Sequence, residues 1–406
     1  MKKKNNLKIL SIISYISFIL MMSCTPDTTP SLYDNVGESL PPAEITSITP
    51  ASGYAGVTVF TIDGKNFAPL AGDNLVYFSP AKAEILSASE TQLVVKAPII
   101  YGDSLRVYTQ KKGAELISNT KLCQLTNAVN EYYPFFSYQA PYSATSDLDG
   151  NIYFSLTENG TGIGVWKITA DSSKLVEFAP IKSETFYNDL KYHSDGYLLG
   201  VALRYKYAIF QINEGEIPVV WAAASDKSLV FQAIDFDVNK NLWASGKGGK
   251  IVSFTPDKTY AEFEYENEIK ALRVYDNYLY AISNSVAGDD VVRFQIFSSD
   301  SLGTPESVFN FSGNVGDPTI SANSLTFSAD GDMYIGTNAE DGVIVVYLDG
   351  SFGTWYEGLI LPDIISFTWT TGTNIFATRK AVSGVSEQNI YIIDMERAGA
   401  PEFGRD

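Results

Sequence analysis

The sequence has very few of the residues that build metal centres and disulfide frameworks. Among its 406 residues there is one histidine, His193, and there are two cysteines, Cys24 and Cys123. A histidine-rich metal site, a mechanism that needs two histidines and a disulfide framework are therefore excluded by counting. Basic residues are also outnumbered by acidic ones, and the formal net charge is −18. Because such a surface repels phosphate backbones, we expect no nucleic-acid partner.

Aromatic residues and glycines, in contrast, are abundant. Aromatics make up 13% of the chain, and there are 31 glycines. Hydrophobic residues reach 45% and charged residues 19%, which is the composition of a globular protein. Aromatic residues favour strands and glycines favour tight turns, so the composition predicts an all-β fold of many short strands.

The first 23 residues predict an export signal. Three lysines precede an apolar stretch, 9–22, that is too short to span a bilayer comfortably. The run Met21-Met22-Ser23-Cys24 resembles a bacterial lipobox, although Met21 stands where leucine is usual. The resemblance implies that Cys24 is lipidated and anchors the chain in the outer membrane. The alternative is an ordinary secreted protein. Residues 24–42 are polar and proline-rich, which predicts a flexible tether.

Residues 43–125 contain short apolar runs separated by turns, which is the pattern of a β-sandwich. The run ITPASG is followed by VFTIDGKNF and then by SASETQLVVKAP. This succession resembles the IPT/TIG family of immunoglobulin-like domains. The resemblance implies that the segment is a spacer or an interaction module rather than an enzyme.

A repeat of strand, tight turn and strand occupies residues 128–400. Its six apolar anchors recur at spacings of 37 to 54 residues, at Ile152, Leu198, Leu242, Leu279, Met333 and Ile375. A period near 45 with about four strands per unit predicts a six-bladed β-propeller. The units resemble NHL-type repeats. The last unit lacks an outer strand, and we predict that residues 131–138 supply it and close the ring.

A binding site is expected where the inner strands begin. The positions ten residues before the anchors are Tyr142, Asn188, Gln232, Ile269, Asn323 and Ile365. The predicted loops around them add Phe186, Tyr187, Arg204, Tyr205, Phe231, Lys247 and Arg379. Amides beside aromatic rings and guanidinium groups suit an oligosaccharide or polysaccharide. For each residue the alternative is plain loop surface or channel filling.

The order of signal, tether, IPT/TIG domain and propeller resembles surface glycan-binding lipoproteins of Sus-like uptake systems. This resemblance implies a non-catalytic protein of polysaccharide utilisation, with an outer-membrane transporter as a partner. A scaffold that binds another envelope protein is an alternative.

An enzyme is a third hypothesis, because the segment 186–200 resembles the Asn-Asp segment of gluconolactonase-like propellers. That resemblance implies Asn188 as a metal ligand and Asn323 as a second one. The two ring positions between Asn188 and Asn323 are Gln232 and Ile269, and neither is an acid. A divalent cation held only by amides is improbable. We therefore expect no metal, no other cofactor and no catalytic residue.

Overall fold

The computed structural model describes residues 40–172 and 174–406. It confirms the all-β class, with strands β1–β34, one short α-helix, α1 (Phe311–Val315), and one 3-10 helix (Ala71–Asp73). The export signal, Cys24 and most of the tether lie outside the described residues. Within them, no helix has the length and apolar character needed to cross a membrane. The described chain forms two compact units, which consist of residues 40–49, 61–95 and 106–121 and of residues 50–60, 96–105 and 122–406.

The N-terminal sandwich has two sheets. The first has the order β1-β3-β7-β6, with β1 (Glu44–Thr49), β3 (Val59–Lys65), β7 (Gln92–Lys96) and β6 (Glu84–Ala88). The second has the order β2-β9-β8-β4-β5, with β2 (Ser52–Tyr54), β9 (Lys121–Thr126), β8 (Gly102–Lys111), β4 (Asn74–Phe78) and β5 (Ala81–Lys82). Alternate residues point inward, as Phe60 and Ile62 do in β3. Cys123 is buried with a free thiol, and burial raises its pKa to about 11.

Six antiparallel sheets then form the blades of the propeller. Blades 1 and 2 contain β11 (Gln139–Ser146), β12 (Ile152–Glu158), β13 (Thr161–Ile168) and β14 (Leu175–Ala179), then β15 (Tyr187–His193), β16 (Tyr197–Ala202), β17 (Ala208–Ile212) and β18 (Val219–Ala223). Blade 3 contains β19 (Val230–Phe236), β20 (Leu242–Lys247), β21 (Lys250–Phe254) and β22 (Tyr260–Glu264).

The second half of the ring follows the same plan. Blade 4 contains β23 (Glu268–Tyr275), β24 (Tyr278–Ser285), β25 (Gly288–Ser298), β26 (Ser301–Leu302) and β27 (Glu306–Phe309). Blade 5 contains β28 (Ala322–Phe327), β29 (Met333–Thr337), β30 (Val343–Val346) and β31 (Phe352–Thr354). Blade 6 contains β32 (Ile364–Trp369), β33 (Asn374–Arg379), β34 (Asn389–Asp394) and, from the start of the propeller, β10 (Val129–Glu131). Each inner strand contacts the next, and β32 contacts β11, so the ring closes.

The closing strand lies earlier in the chain than the sequence predicted. β10 pairs with β34 from Val129 to Glu131, and residues 132–138 are not part of it. Val129 is buried in the core, whereas Pro134 has no backbone N–H to donate to a ladder. The aromatic residues of this segment pack by their rings instead, since Tyr132 lies edge-on to Phe376 at 4.8 Å.

In blades 1 and 3, the turn of the first hairpin is closed by hydrogen bonds to the side chain of an aspartate. Both carboxylate oxygens of Asp147 accept hydrogen bonds, from the backbone of Asp149 and Asn151, the Asn151 amide and the Tyr153 hydroxyl. In blade 3, the carboxylate of Asp237 accepts the equivalent hydrogen bonds, with the indole N–H of Trp243 in place of the tyrosine hydroxyl. Turn chemistry therefore accounts for these aspartates.

Residues 397–406 close one end of the central channel, and we call this segment the plug. It bonds to every blade near the end of the inner strand: Arg405 to Ser146, Gly404 to Ser194 and Lys240, Pro401 to Arg273, Ala400 to Phe327 and Glu402 to Trp369. The role of this segment was not predictable from the sequence, because the segment has no strand periodicity.

Candidate functional site

All six inner strands carry a β-bulge near their start. The pairing register slips at Tyr142/Thr145, Tyr187/Asp189, Phe231/Ala233, Ile269/Ala271, Ala322/Ser324 and Ile364/Ser366. A bulge leaves one residue unpaired and redirects its side chain. The residues at the six slips line a narrow cavity of about 70 Å³ in the channel: Ser143, Asn188, Gln232, Lys270, Asn323 and Ile365. We call this ring the channel mouth.

Two predicted ring positions are wrong by one residue. Ile269 is completely buried in the core, and Lys270 lines the channel instead. The hairpin of blade 4 is one residue shorter than that of blade 3, since Val274 pairs with Leu279 whereas Phe236 pairs with Leu242. In blade 1 the bulge places Ser143 in the ring, and Tyr142 lies outside the cavity with its ring edge-on to Phe186 at 5.0 Å.

The ammonium group of Lys270 is held by an acid that the sequence did not single out. Lys270 Nζ lies 3.0 Å from Asp289 Oδ2 and also donates to the hydroxyl of Ser321. Asp289 is buried and accepts a further bond from Asn284. Above the ring, a wider opening of about 390 Å³ is lined by Gln232, Glu268, Lys270, Asn284 and Asn323.

Two of the amides that line this opening, Asn323 and Gln232, differ in their bonding. The Asn323 amide nitrogen donates to the carboxylate of Asp363, and the Asn323 oxygen accepts from Ser321. Burial raises the pKa of Asp363. The Gln232 side-chain oxygen, in contrast, is buried without a hydrogen-bond partner among the described residues. A buried acceptor of this kind favours a ligand that brings a donor.

An acidic residue does line the channel, contrary to the sequence prediction. Asp189 and Lys191 both reach the cavity. Burial raises the pKa of Asp189 to about 6, against the opposing effects of Lys191 and of the backbone N–H groups of Ile234 and Leu190. Asp189 was missed because it directly follows Asn188, the residue predicted to be in the ring, and the bulge turns both toward the channel.

Deeper in the channel the charges are paired and buried. Lys191 Nζ lies 3.4 Å from Asp235 Oδ1, and Arg273 Nη1 lies 3.0 Å from Asp235 Oδ2. Burial opposes the charge of Lys191, but Asp235, Asp189 and Glu402 together raise its pKa. Burial likewise opposes the charge of Asp235, and the two cations hold its pKa below its usual range.

These charges do not assemble a metal site. Asn188 and Asn323 both lie in the channel mouth, as the gluconolactonase-like hypothesis requires. Residues 40–172 and 174–406, however, contain no group of three or more His, Cys, Asp or Glu side chains arranged to hold a metal ion. The nearby Asp235 and Asp289 are instead occupied by Arg273 and Lys270.

The remaining predicted site residues lie in different surroundings. Tyr187 and Phe231 are almost fully buried in the core, because they pair inside the ladder just before the bulge; the prediction that they are loop residues is wrong. Arg379 is also buried, stacked 4.5 Å from the Tyr391 ring and bonded to the Glu387 carbonyl.

Three further predicted residues are exposed. Arg204 and Tyr205 lie in the loop after β16, where the Arg204 backbone donates to Glu184. Lys247 Nζ lies 3.3 Å from Glu268 Oε1, beside the wide opening.

Comparison with known proteins agrees with both halves of this fold. Residues 43–126 match the IPT/TIG domain, which confirms the resemblance seen in the sequence. No curated protein matches the chain. An auxiliary nutrient binding protein from Bacteroides thetaiotaomicron is 10% identical, with 87% of this chain and 97% of that chain covered and a TM-score of 0.50. Another from Bacteroides ovatus is 11% identical, with 87% and 98% covered and a TM-score of 0.50.

A structure named luciferin-regenerating enzyme is similar over a smaller share of the chain. It is 13% identical, with 65% of this chain and 95% of that chain covered and a TM-score of 0.50. At these identities the likeness shows the fold and not the function. The chain is an all-β protein with an N-terminal IPT/TIG domain followed by a six-bladed propeller.

Proposed function

We propose that the channel mouth binds an oligosaccharide and that the protein does not transform it. The observation that carries the proposal is the set of six bulges, which turn three amides, a hydroxyl and an ammonium group toward one cavity. Sugar hydroxyls both donate and accept hydrogen bonds, so amide and hydroxyl side chains suit them. Gln232 lines both the cavity and the wide opening, and its side-chain oxygen has no partner among the described residues.

The charges around the mouth favour an uncharged sugar. Lys270 is neutralised by Asp289, and Lys191 by Asp235. Glu268 adds a carboxylate at the wide opening and pairs with Lys247. A ligand with its own carboxylate would have to displace one of these internal partners.

We further propose that Cys24 is lipidated and holds the protein on the outer membrane at the cell surface. The tether and the IPT/TIG domain would then act as a spacer that keeps the propeller away from the lipid. Held near a transporter, such a binding face raises the local concentration of ligand. The names of the two Bacteroides neighbours, both nutrient binding proteins, are in keeping with this role.

Calorimetric titration of the purified protein with neutral oligosaccharides tests the binding proposal. We expect Gln232→Ala to weaken binding about tenfold, because a buried hydrogen bond is lost at the mouth. Gln295→Ala is the matched control, since Gln295 is exposed on β25 and away from the channel. Equal affinity of the Gln232→Ala variant and the original protein would contradict the proposal.

Metabolic labelling with radioactive palmitate tests the anchor. The original chain should take up label and sediment with membranes, and Cys24→Ser should do neither. Cys123→Ser is the control, because Cys123 is buried and should leave labelling unchanged. Labelling of the Cys24→Ser variant would contradict lipidation at this residue.

A further inference from the structure

A second cavity lies at the seam between blade 6 and blade 1, and we call it the seam pocket. Its volume is about 530 Å³, several times that of the channel cavity. It lies beside residues 132–138, which were predicted to belong to the closing strand and which lie outside that strand. Its floor and rim include Phe136, Tyr138, Tyr142, Asn159, Gln388 and Asn389.

Two stacked aromatic rings on the rim are exposed. Phe136 is 64% exposed and Tyr138 is 45% exposed. The ring centroids are 5.4 Å apart, and the ring planes differ by 4°. The two rings therefore stack on each other, and the exposed face of this stack forms an aromatic platform at the edge of a cavity. Exposed apolar surface that borders a cavity typically marks a binding site, whereas single exposed aromatics need no explanation.

The platform is held in place by the chain that carries it. The Gln139 backbone donates to the Phe136 carbonyl at 2.8 Å, and the Phe136 backbone donates to the side-chain oxygen of Gln139 at 3.3 Å. The Gln139 amide donates in turn to Glu158 at 3.0 Å, and the Asn159 backbone donates to the Tyr138 carbonyl at 2.8 Å. A platform fixed in this way loses little conformational entropy when a ligand binds.

Most of the other lining residues are polar, and none carries a positive charge. Glu131 and Glu387 contribute carboxylates, and no lysine or arginine is among the lining residues. Gln388 donates to the Pro141 carbonyl at 2.6 Å, so its side chain is fixed over the pocket floor. An aromatic platform with amides and carboxylates suits a neutral sugar, because a pyranose ring has an apolar face and polar edges. Acidic sugars would be repelled.

We propose that the seam pocket is a second saccharide-binding site, in which a sugar ring stacks on the exposed face of the Phe136–Tyr138 pair. The pocket adjoins the channel mouth, since Tyr142 lines the seam pocket and Ser143, the next residue of β11, lines the mouth. A long neutral glycan therefore occupies both sites, whereas a short one occupies only one. The choice of ligand class rests on the proposed function; the platform itself is an independent observation.

Affinity electrophoresis in gels that contain starch, dextran, galactomannan or xyloglucan tests the seam pocket. The double variant Phe136→Ala/Tyr138→Ala should be retained about tenfold less strongly than the original protein. The matched control is Phe297→Ala/Tyr260→Ala, because Phe297 is 64% and Tyr260 is 41% exposed and neither lines the seam pocket. Thermal unfolding of both double variants should match that of the original protein, since all four rings are exposed.

The outcomes separate the two sites. Weaker retention of the Phe136→Ala/Tyr138→Ala variant supports the seam pocket, even if Gln232→Ala has no effect and the mouth proposal fails. Retention equal to that of the control variant overturns the seam pocket, even if Gln232→Ala weakens binding. Failure of the original protein to be retained by any of the four polysaccharides overturns both proposals.

Discussion

The two ends of the propeller channel are built from the same six strands and differ in almost every other respect. At the mouth, bulges expose amides, a hydroxyl and an ammonium group to an open cavity. At the base, the plug covers the strand ends, and Asp235 and Arg273 are almost fully buried. Glu402 of the plug accepts bonds from the backbone of Trp369 and the hydroxyl of Thr368. The propeller thus seals one end of its channel with its own chain and leaves the other end open.

The difference should appear in stability more than in ligand binding. A buried charge that loses its partner is strongly destabilising, because it remains out of water without compensation. An exposed ion pair contributes little, because water and salt screen it. Substitutions at the base should therefore unfold the protein more easily, and substitutions at the mouth should leave the fold nearly unchanged.

The largest effect is expected from Arg273→Met. This change removes two bonds to plug carbonyls and leaves Asp235 with Lys191 as its remaining cation. We expect the free energy of unfolding to fall by about 3–5 kcal/mol in urea titration. Arg293→Met is the matched control, since Arg293 pairs with Glu306 on the surface, and it should lose less than about 1 kcal/mol. Equal losses would show that the base is not specially stabilised.

Removing the carboxylate of Glu402, in the plug, should have the next largest effect on stability. In Glu402→Ala the N–H of Trp369 and the hydroxyl of Thr368 lose their acceptor in a buried place. We expect a loss of about 2–3 kcal/mol, measured in the same urea titration. Glu306→Ala, at an exposed carboxylate, is the control. A loss no greater than that of the control would mean that the plug does not seal the base.

The architecture of the propeller was predictable from the sequence, because each blade repeats the same local pattern. Spacing from apolar anchors is a local property, and it located Asn188, Gln232, Asn323 and Ile365 at the bulges. It failed at Lys270, where one hairpin is a residue shorter. A slip of one residue moves a side chain from the core to the channel, so small errors in register change the whole site.

The base of the channel was not predictable in this way. Arg405 bonds to Ser146, 259 residues away, and Arg273 bonds to Pro401, 128 residues away. The residues of the plug have neither strand alternation nor helical periodicity, and only the closed ring gives them partners. Asp235 was missed for the same reason, since its cations, Lys191 and Arg273, come from the two neighbouring blades.

The pH dependence of stability probes the region between the two ends. Because burial raises the pKa of Asp189 to about 6, the folded state binds a proton that the unfolded state has already lost between about pH 4 and pH 6. The contribution of Asp189 is therefore greatest at low pH and is lost as the pH rises through 6. Relative to the original protein, Asp189→Asn should gain about 1–2 kcal/mol on going from pH 4 to pH 7.

Thermal unfolding at pH 4, 5, 6 and 7 measures this difference. Asp257→Asn is the control of opposite sign, because hydrogen bonds from Thr255 and Thr259 lower the pKa of the exposed Asp257. A pH-independent difference between Asp189→Asn and the original protein would mean that Asp189 is as well solvated in the folded state as in the unfolded one.

The smallest effect on stability is expected at the mouth, from Lys247→Ala. Lys247 is 56% exposed and its partner Glu268 30%, so water already screens their ion pair. We expect a change below about 1 kcal/mol in urea, and a smaller one in 1 M salt. Lys191→Met, at the buried end of the same channel, is the matched comparison, because it removes a partner of Asp235 and should be little affected by salt. If Lys247→Ala destabilised the protein as much as Lys191→Met, the mouth would be part of the structural core, and its side chains would not be free to rearrange around a ligand.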